Sequence, residues 1–277
     1  MVGTGGRAHV SKLGHAEPVL KFLVLTFFLS YSVGFGNLMM RSSIAAATSS
    51  DLAAQYLSRI GVVYAPAFSA LLIAWKSEGR HGVRDLLRRM HPNGRWRWVP
   101  ALVVAGVACS AAAALLCGVD PAHFKAATRA WPLFVAHLLL QFVFVGCGEE
   151  LGWRGWLLPQ LLTRYRPGVA TSLVAGIWGF WHAPVLLTEV RLAVLFLFGV
   201  FGLSFLFTAL WARVHGNIFV LAAAHASVNA PLAFFEERSV SAAMPSLHLQ
   251  STWETAFAIY GALGLATLVW KRRWYYG

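Results

Sequence analysis

Charge is scarce in this chain. Only 12% of its 277 residues are Asp, Glu, Lys or Arg, about half the share of an ordinary soluble domain. Acidic residues are the rarer kind, 11 against 23 Lys and Arg. With 58% apolar residues and a mean hydropathy of +0.61, a water-soluble domain is excluded and a polytopic membrane protein remains. Cysteine is scarce too. Cys109, Cys117 and Cys147 lie in apolar segments without CxxC spacing, which excludes a disulfide framework or a thiolate zinc cluster. There is no internal repeat, no low-complexity tract, and no HExxH of the soluble zinc proteases.

What is present is a series of long apolar runs. They imply an all-α fold, a polytopic transmembrane helix bundle of about eight spans, each near the ~20 residues needed to cross. Residues 1–17 read as a short polar cytoplasmic tail. Residues 18–130 hold three spans, near 18–40, 59–75 and 98–119. The first reads as an uncleaved anchor, because its apolar core exceeds the length of a signal-peptide h-region. Between spans two and three, residues 76–97 carry seven Lys and Arg. Val83, Leu86, Leu87 and Met90 recur there at helical spacing, as in a basic amphipathic helix on an anionic leaflet. Residues 131–235 hold four spans, near 131–162, 167–188, 192–212 and 217–235. Residues 236–277 are a polar loop and a last span near 253–270.

The net charge of +12 at first suggests nucleic acid. The distribution says otherwise. With eight spans, 16 of the 23 Lys and Arg fall on one side and 6 on the other, leaving Arg154 inside. That bias is the positive-inside pattern, puts both termini in the cytoplasm, and removes nucleic acid as a partner.

Glu149 and Glu150 read as the only two carboxylates inside any apolar segment, and Arg154 as the only strong base there. A charge at membrane depth costs about 2.5–3.5 kcal/mol on insertion scales, so three in six residues call for a function. On a helix the two glutamates point about 100° apart. Glu150 and Arg154 are four apart in the favourable order and are expected to pair. Glu149 then has no partner on its own helix. Two more polar clusters follow. Trp178 and His182 share one face of span five, and His225 and Asn229 share one face of span seven. Pro184 and Pro231 come two residues after each cluster. They free the carbonyls of Phe180 and Ser227, are expected to bend both helices, and open those carbonyls to water. His137 reads as a structural helix–helix hydrogen bonder. A carboxylate, two imidazoles and an amide on three helices contain the parts of a hydrolase.

Glu-Glu-x-x-x-Arg, aromatic-x-x-x-His and His-x-x-x-Asn, in that order on successive spans, resemble the CPBP family. These are intramembrane peptidases of the CAAX-prenyl-protease and bacteriocin-processing type, also called the abortive-infection family. The sequence from Arg154 to Leu161, and Arg213-Val214-His215-Gly216-Asn217, resemble what surrounds these motifs in the family. The resemblance implies catalytic roles for Glu149, as the base that activates water, His182, which helps hold it, and His225 and Asn229, as oxyanion donors. Glu150, Arg154 and Trp178 would support them. It also implies a membrane-associated or lipidated protein or peptide as substrate and a bacterial plasma membrane as location. The family is often labelled metalloprotease, and Glu149, His182 and His225 could form a His₂Glu zinc site. A metal-free, glutamate-driven mechanism is preferred, since no local metal motif is present. The alternatives are a non-catalytic immunity or chaperone-like partner, and a small-solute transporter with Glu149 as proton site. One difficulty stands: Glu149 lies ~27 Å along its span from Trp131, near the cytoplasmic surface, whereas His182, ~22 Å along from Pro167, would lie much deeper.

Overall fold

The architecture comes from a computed structural model that describes residues 16–40, 43, 46–47, 51–187, 189–244 and 246–277. Most of the expected tail, residues 1–15, lies outside the described residues. The described residues are mostly helical, with no strand among them. Eight long helices carry the bundle. They are α1 (Ala16–Met39), α2 (Ala65–Arg88), α3 (Val99–Leu116), a continuous run over 131–162 called α4, α5 (Pro167–Trp181), α6 (Val190–Arg213), α7 (Ile218–Phe235) and α8 (Leu249–Trp270). Proline opens α2, α3, α4 and α5 in the first turn, where its missing N–H costs nothing and its φ is already helical.

Among the described residues, five stretches are long and apolar enough to cross a membrane: Glu17–Gly34, Arg95–Leu116, Pro121–Leu162, Val190–Arg213 and Ile218–Phe235. The chain is therefore an integral membrane protein. The helix α7 is 89% buried over its span, which makes it the centre of the bundle. Against it pack α3, α4 and, less extensively, α6. Close approach depends on small residues. A Cβ on Gly106 of α3 would lie 1.9 Å from the carbonyl oxygen of Ser227, and one on Gly146 of α4 would lie 2.4 Å from that of Ala222.

A kink inside Ala65–Arg88 separates two helices, and the second carries Arg80, Arg84 and Arg88, the short basic helix expected within 76–97. Gly79, at φ 62° and ψ −143°, bends the chain through a region open to glycine alone. Helix then resumes to Arg88, with Leu86 buried. Polar groups tie this segment to the bundle. Arg89 donates to the Gly155 carbonyl (2.6 Å), its own carbonyl accepts from the Ile218 N–H (2.7 Å), and Asn217 donates to the His91 carbonyl (2.7 Å). Asn217 also caps α7, accepting from the Val220 N–H (3.0 Å), as an N-cap side chain should. Arg213 lies over Trp98, and Arg166 donates to the Tyr276 carbonyl. The basic connections thus gather at one end of the bundle. At the other end, His137, expected only to tie helices, is fully buried. It bridges the Tyr56 hydroxyl (3.1 Å) and the Glu237 carboxylate (2.9 Å). The three cysteines are unpaired and half-buried.

Candidate active site

Glu149 and Glu150 lie in a short α-helical stretch, Cys147–Gly152, with π-helical turns on both sides, Gln141–Gly146 and Trp153–Leu157. Each π turn widens the helix by one residue and redirects the side chains that follow; such turns concentrate at functional sites. A carbonyl of the first one, that of Val143, accepts from the Tyr64 hydroxyl at 2.7 Å.

The expected pair forms. Arg154 Nη1 donates to Glu150 Oε1 at 2.9 Å, and both side chains are fully buried. The arginine is held on its other faces too, with its guanidinium 4.3 Å from the Trp178 ring centroid and 5.1 Å from that of Phe207. Nη2 donates to the Ser204 hydroxyl at 3.3 Å. Spacing alone does not show the third member. His225, 75 residues further on, places Nδ1 2.8 Å from the same Glu150 oxygen. An ionised carboxylate only accepts, so this nitrogen carries the proton and Nε2 points elsewhere.

Glu149 does face another helix. Its Oε2 accepts from the indole N–H of Trp178 at 2.8 Å, and the carboxylate is buried. Trp178 is the hub of the site. Its ring meets His182 and His225 edge-on, at centroid distances of 5.8 and 5.5 Å. His182 Nδ1 lies 2.8 Å from the Trp178 carbonyl. A carbonyl can only accept, so Nδ1 is protonated and Nε2 keeps its lone pair. Asn229, one turn past His225, donates to Gln141 Oε1 at 3.5 Å. Gln141 is a site neighbour with no sequence signal beyond being a polar residue in an apolar run.

Three expectations need correction or addition. First, the helix bearing His182 does not continue through Pro184: α5 stops at Trp181 with His182 as its C-cap, while α7 runs on through Pro231. Second, the carbonyls at the prolines also have protein neighbours. The Tyr31 hydroxyl lies 3.4 Å from the Phe180 oxygen and 3.0 Å from that of Trp181. The Ser227 oxygen abuts Gly106. Third, Glu149 and Glu150 are not the only carboxylates inside an apolar helix. Glu254 of α8 is 3% exposed and pairs with Arg191 at 2.9 Å.

The depth mismatch also resolves. Helical structure over 131–162 is ~48 Å long at 1.5 Å per residue, well beyond a ~30 Å hydrocarbon core, so Trp131 was the wrong datum. Counted from the hairpin shared by α4 and α5, Glu149 lies ~20 Å from Leu162 and His182 ~22 Å from Pro167. They stand level.

The zinc set does not fit as arranged. Among the described residues no three His, Cys, Asp or Glu side chains come together to hold a metal ion. The Trp178 ring stands against both imidazoles, its N–H occupies Glu149, and Glu150 occupies His225.

Residues 130–231 match the family model of type II CAAX prenyl endopeptidase, Rce1-like. The CPBP resemblance read from the three motifs is shown over that stretch, which holds Glu149, His182, His225 and Asn229. It is a protease family. No curated protein matches the chain.

Proposed function

We propose that the chain is an intramembrane endopeptidase that hydrolyses a peptide bond of a membrane-associated or lipidated protein or peptide. The observation that carries this reading is the unit Glu149–Trp178–His182. A buried carboxylate, held by one indole N–H, stands level with an imidazole whose Nε2 keeps its lone pair. A water between them donates one proton to Glu149 and the other to His182 Nε2, which aims its oxygen lone pair outward. Attack on the peptide carbonyl transfers the first proton to Glu149 and leaves a tetrahedral oxyanion. His225, through Nε2–H in its doubly protonated form, and the free N–H of Asn229 receive that oxyanion. Glu149 then passes its proton to the departing amine, and the C–N bond breaks.

Glu150 and Arg154 act through His225. With His225 doubly protonated, Glu149, Glu150, Arg154 and His225 sum to zero charge, the arrangement a low-dielectric site tolerates best. The mechanism needs no metal. The Lys and Arg bias supports both termini in the cytoplasm, and the family resemblance supports a bacterial plasma membrane.

The test compares membrane-protein termini by mass spectrometry in cells carrying wild type or Glu149→Gln at matched expression. New termini seen only with wild type are expected, and they also name the substrate. Identical profiles across growth conditions would overturn the proposal and leave a non-catalytic partner as the better reading.

A further inference from the structure

Away from the site, the basic end of the bundle carries a groove of about 690 Å³. After the bend at Gly79, Arg80, Arg84 and Arg88 follow at successive four-residue steps along one edge of the helix. Val83 and Leu87 form the next stripe, and Trp75 closes the apolar floor. Arg88 is paired with Asp85 at 3.2 Å. Arg80 and Arg84 are exposed and have no ion-pair partner among the described residues. Trp75, Trp96 and Trp98 are 51%, 53% and 38% exposed at this same end. Exposed tryptophans beside basic residues mark the level of lipid headgroups.

A groove that is apolar inside, cationic at its rim and set at headgroup level fits one kind of occupant. We infer that it binds an anionic phospholipid, with the phosphate between Arg80 and Arg84 and an acyl chain along Trp75, Val83 and Leu87. Two uncompensated cations call for an anion, and the apolar floor calls for a chain attached to it. The wall of the groove is also the segment that Arg89 and His91 tie to Gly155 and Asn217. A seated lipid therefore braces the joint between α4 and α7, which carry Glu150 and His225.

The experiment is native mass spectrometry of the full chain in neutral detergent, with phosphatidylglycerol or phosphatidylcholine of identical acyl chains. Wild type is expected to retain phosphatidylglycerol in clear preference. Each arginine contributes about fivefold, from about 1 kcal/mol per basic residue near an anionic headgroup. Arg80→Gln with Arg84→Gln should bring the ratio close to one, and Leu87→Ser should weaken both lipids. Arg272→Gln with Arg273→Gln, a change of equal charge elsewhere on this end, should leave the ratio unchanged. If the double variant does not fold, Arg84→Gln alone should still lower the ratio about fivefold. Equal retention of the two lipids by wild type, or an unchanged ratio in the groove variants, would overturn the inference. So would displacement by glycerol 3-phosphate, a headgroup without chains. The readout is mass rather than cleavage, so either result leaves the peptidase reading where it stands.

Discussion

Glu150→Gln is the sharpest perturbation of this bundle. Glu150 accepts from Arg154 at 2.9 Å and from His225 at 2.8 Å, and both members of the ion pair are fully buried. No solvent screens them, so the full penalty of an uncompensated buried charge applies. Removing one partner of such a pair costs about 3–5 kcal/mol. At about 2–4 °C per kcal/mol for a chain of this size, the midpoint of thermal unfolding should fall by roughly 10 °C. Part of the guanidinium's support survives, because the Trp178 and Phe207 rings and Ser204 still surround it, so the lower half of the range is expected. The 12 tryptophans, among them Trp178 against Arg154, make intrinsic fluorescence in detergent a direct assay. The decisive arm is the double variant Glu150→Gln with Arg154→Met. It removes both charges, and its cost should fall short of the two single costs combined by about 2 kcal/mol or more. A Glu150→Gln variant no less stable than the exposed control Glu78→Gln, or costs that simply add, would refute the claim that this pair is a desolvated unit.

Further tests follow from the site. Glu149→Gln should lower the cleavage rate by about 10²- to 10⁴-fold, as loss of a general base does, with the unfolding midpoint close to wild type; both are read on one preparation. Trp178→Phe keeps most of the ring but removes the N–H that reaches Glu149 Oε2. A hydrogen bond to a charged group is worth about 1.5–3 kcal/mol, so kcat should drop about 10- to 100-fold. Gly106→Ala places a methyl 1.9 Å from the Ser227 carbonyl oxygen, which forces α3 off α7 and should cost about 1–3 kcal/mol or more by thermal unfolding. Exhaustive chelation should leave proteolysis intact; activity lost to chelator and restored by zinc would reverse the metal-free assignment.

Much of this protein follows from local rules. Scarcity of charge and the length of the apolar runs dictate a membrane-embedded helical bundle, because every backbone polar group in lipid must be satisfied within its own helix. The pairing of Glu150 with Arg154 is set by four-residue spacing, and the order of the three motifs carries the family resemblance. The contacts that turn these residues into a site depend on how one helix is rotated and how far it slides against another, and periodicity within a helix is blind to both. Trp178 reaches Glu149 across 29 residues, and His225 reaches Glu150 across 75. Two π turns redirect α4 in a way hydropathy does not register. Helix length misled as well. Since α4 outruns the bilayer, counting from its first residue put Glu149 at the wrong depth, and only its packing against α5 made Glu149 and His182 level. Local periodicity thus decided which side chains share a helix face, while helix packing decided which faces meet.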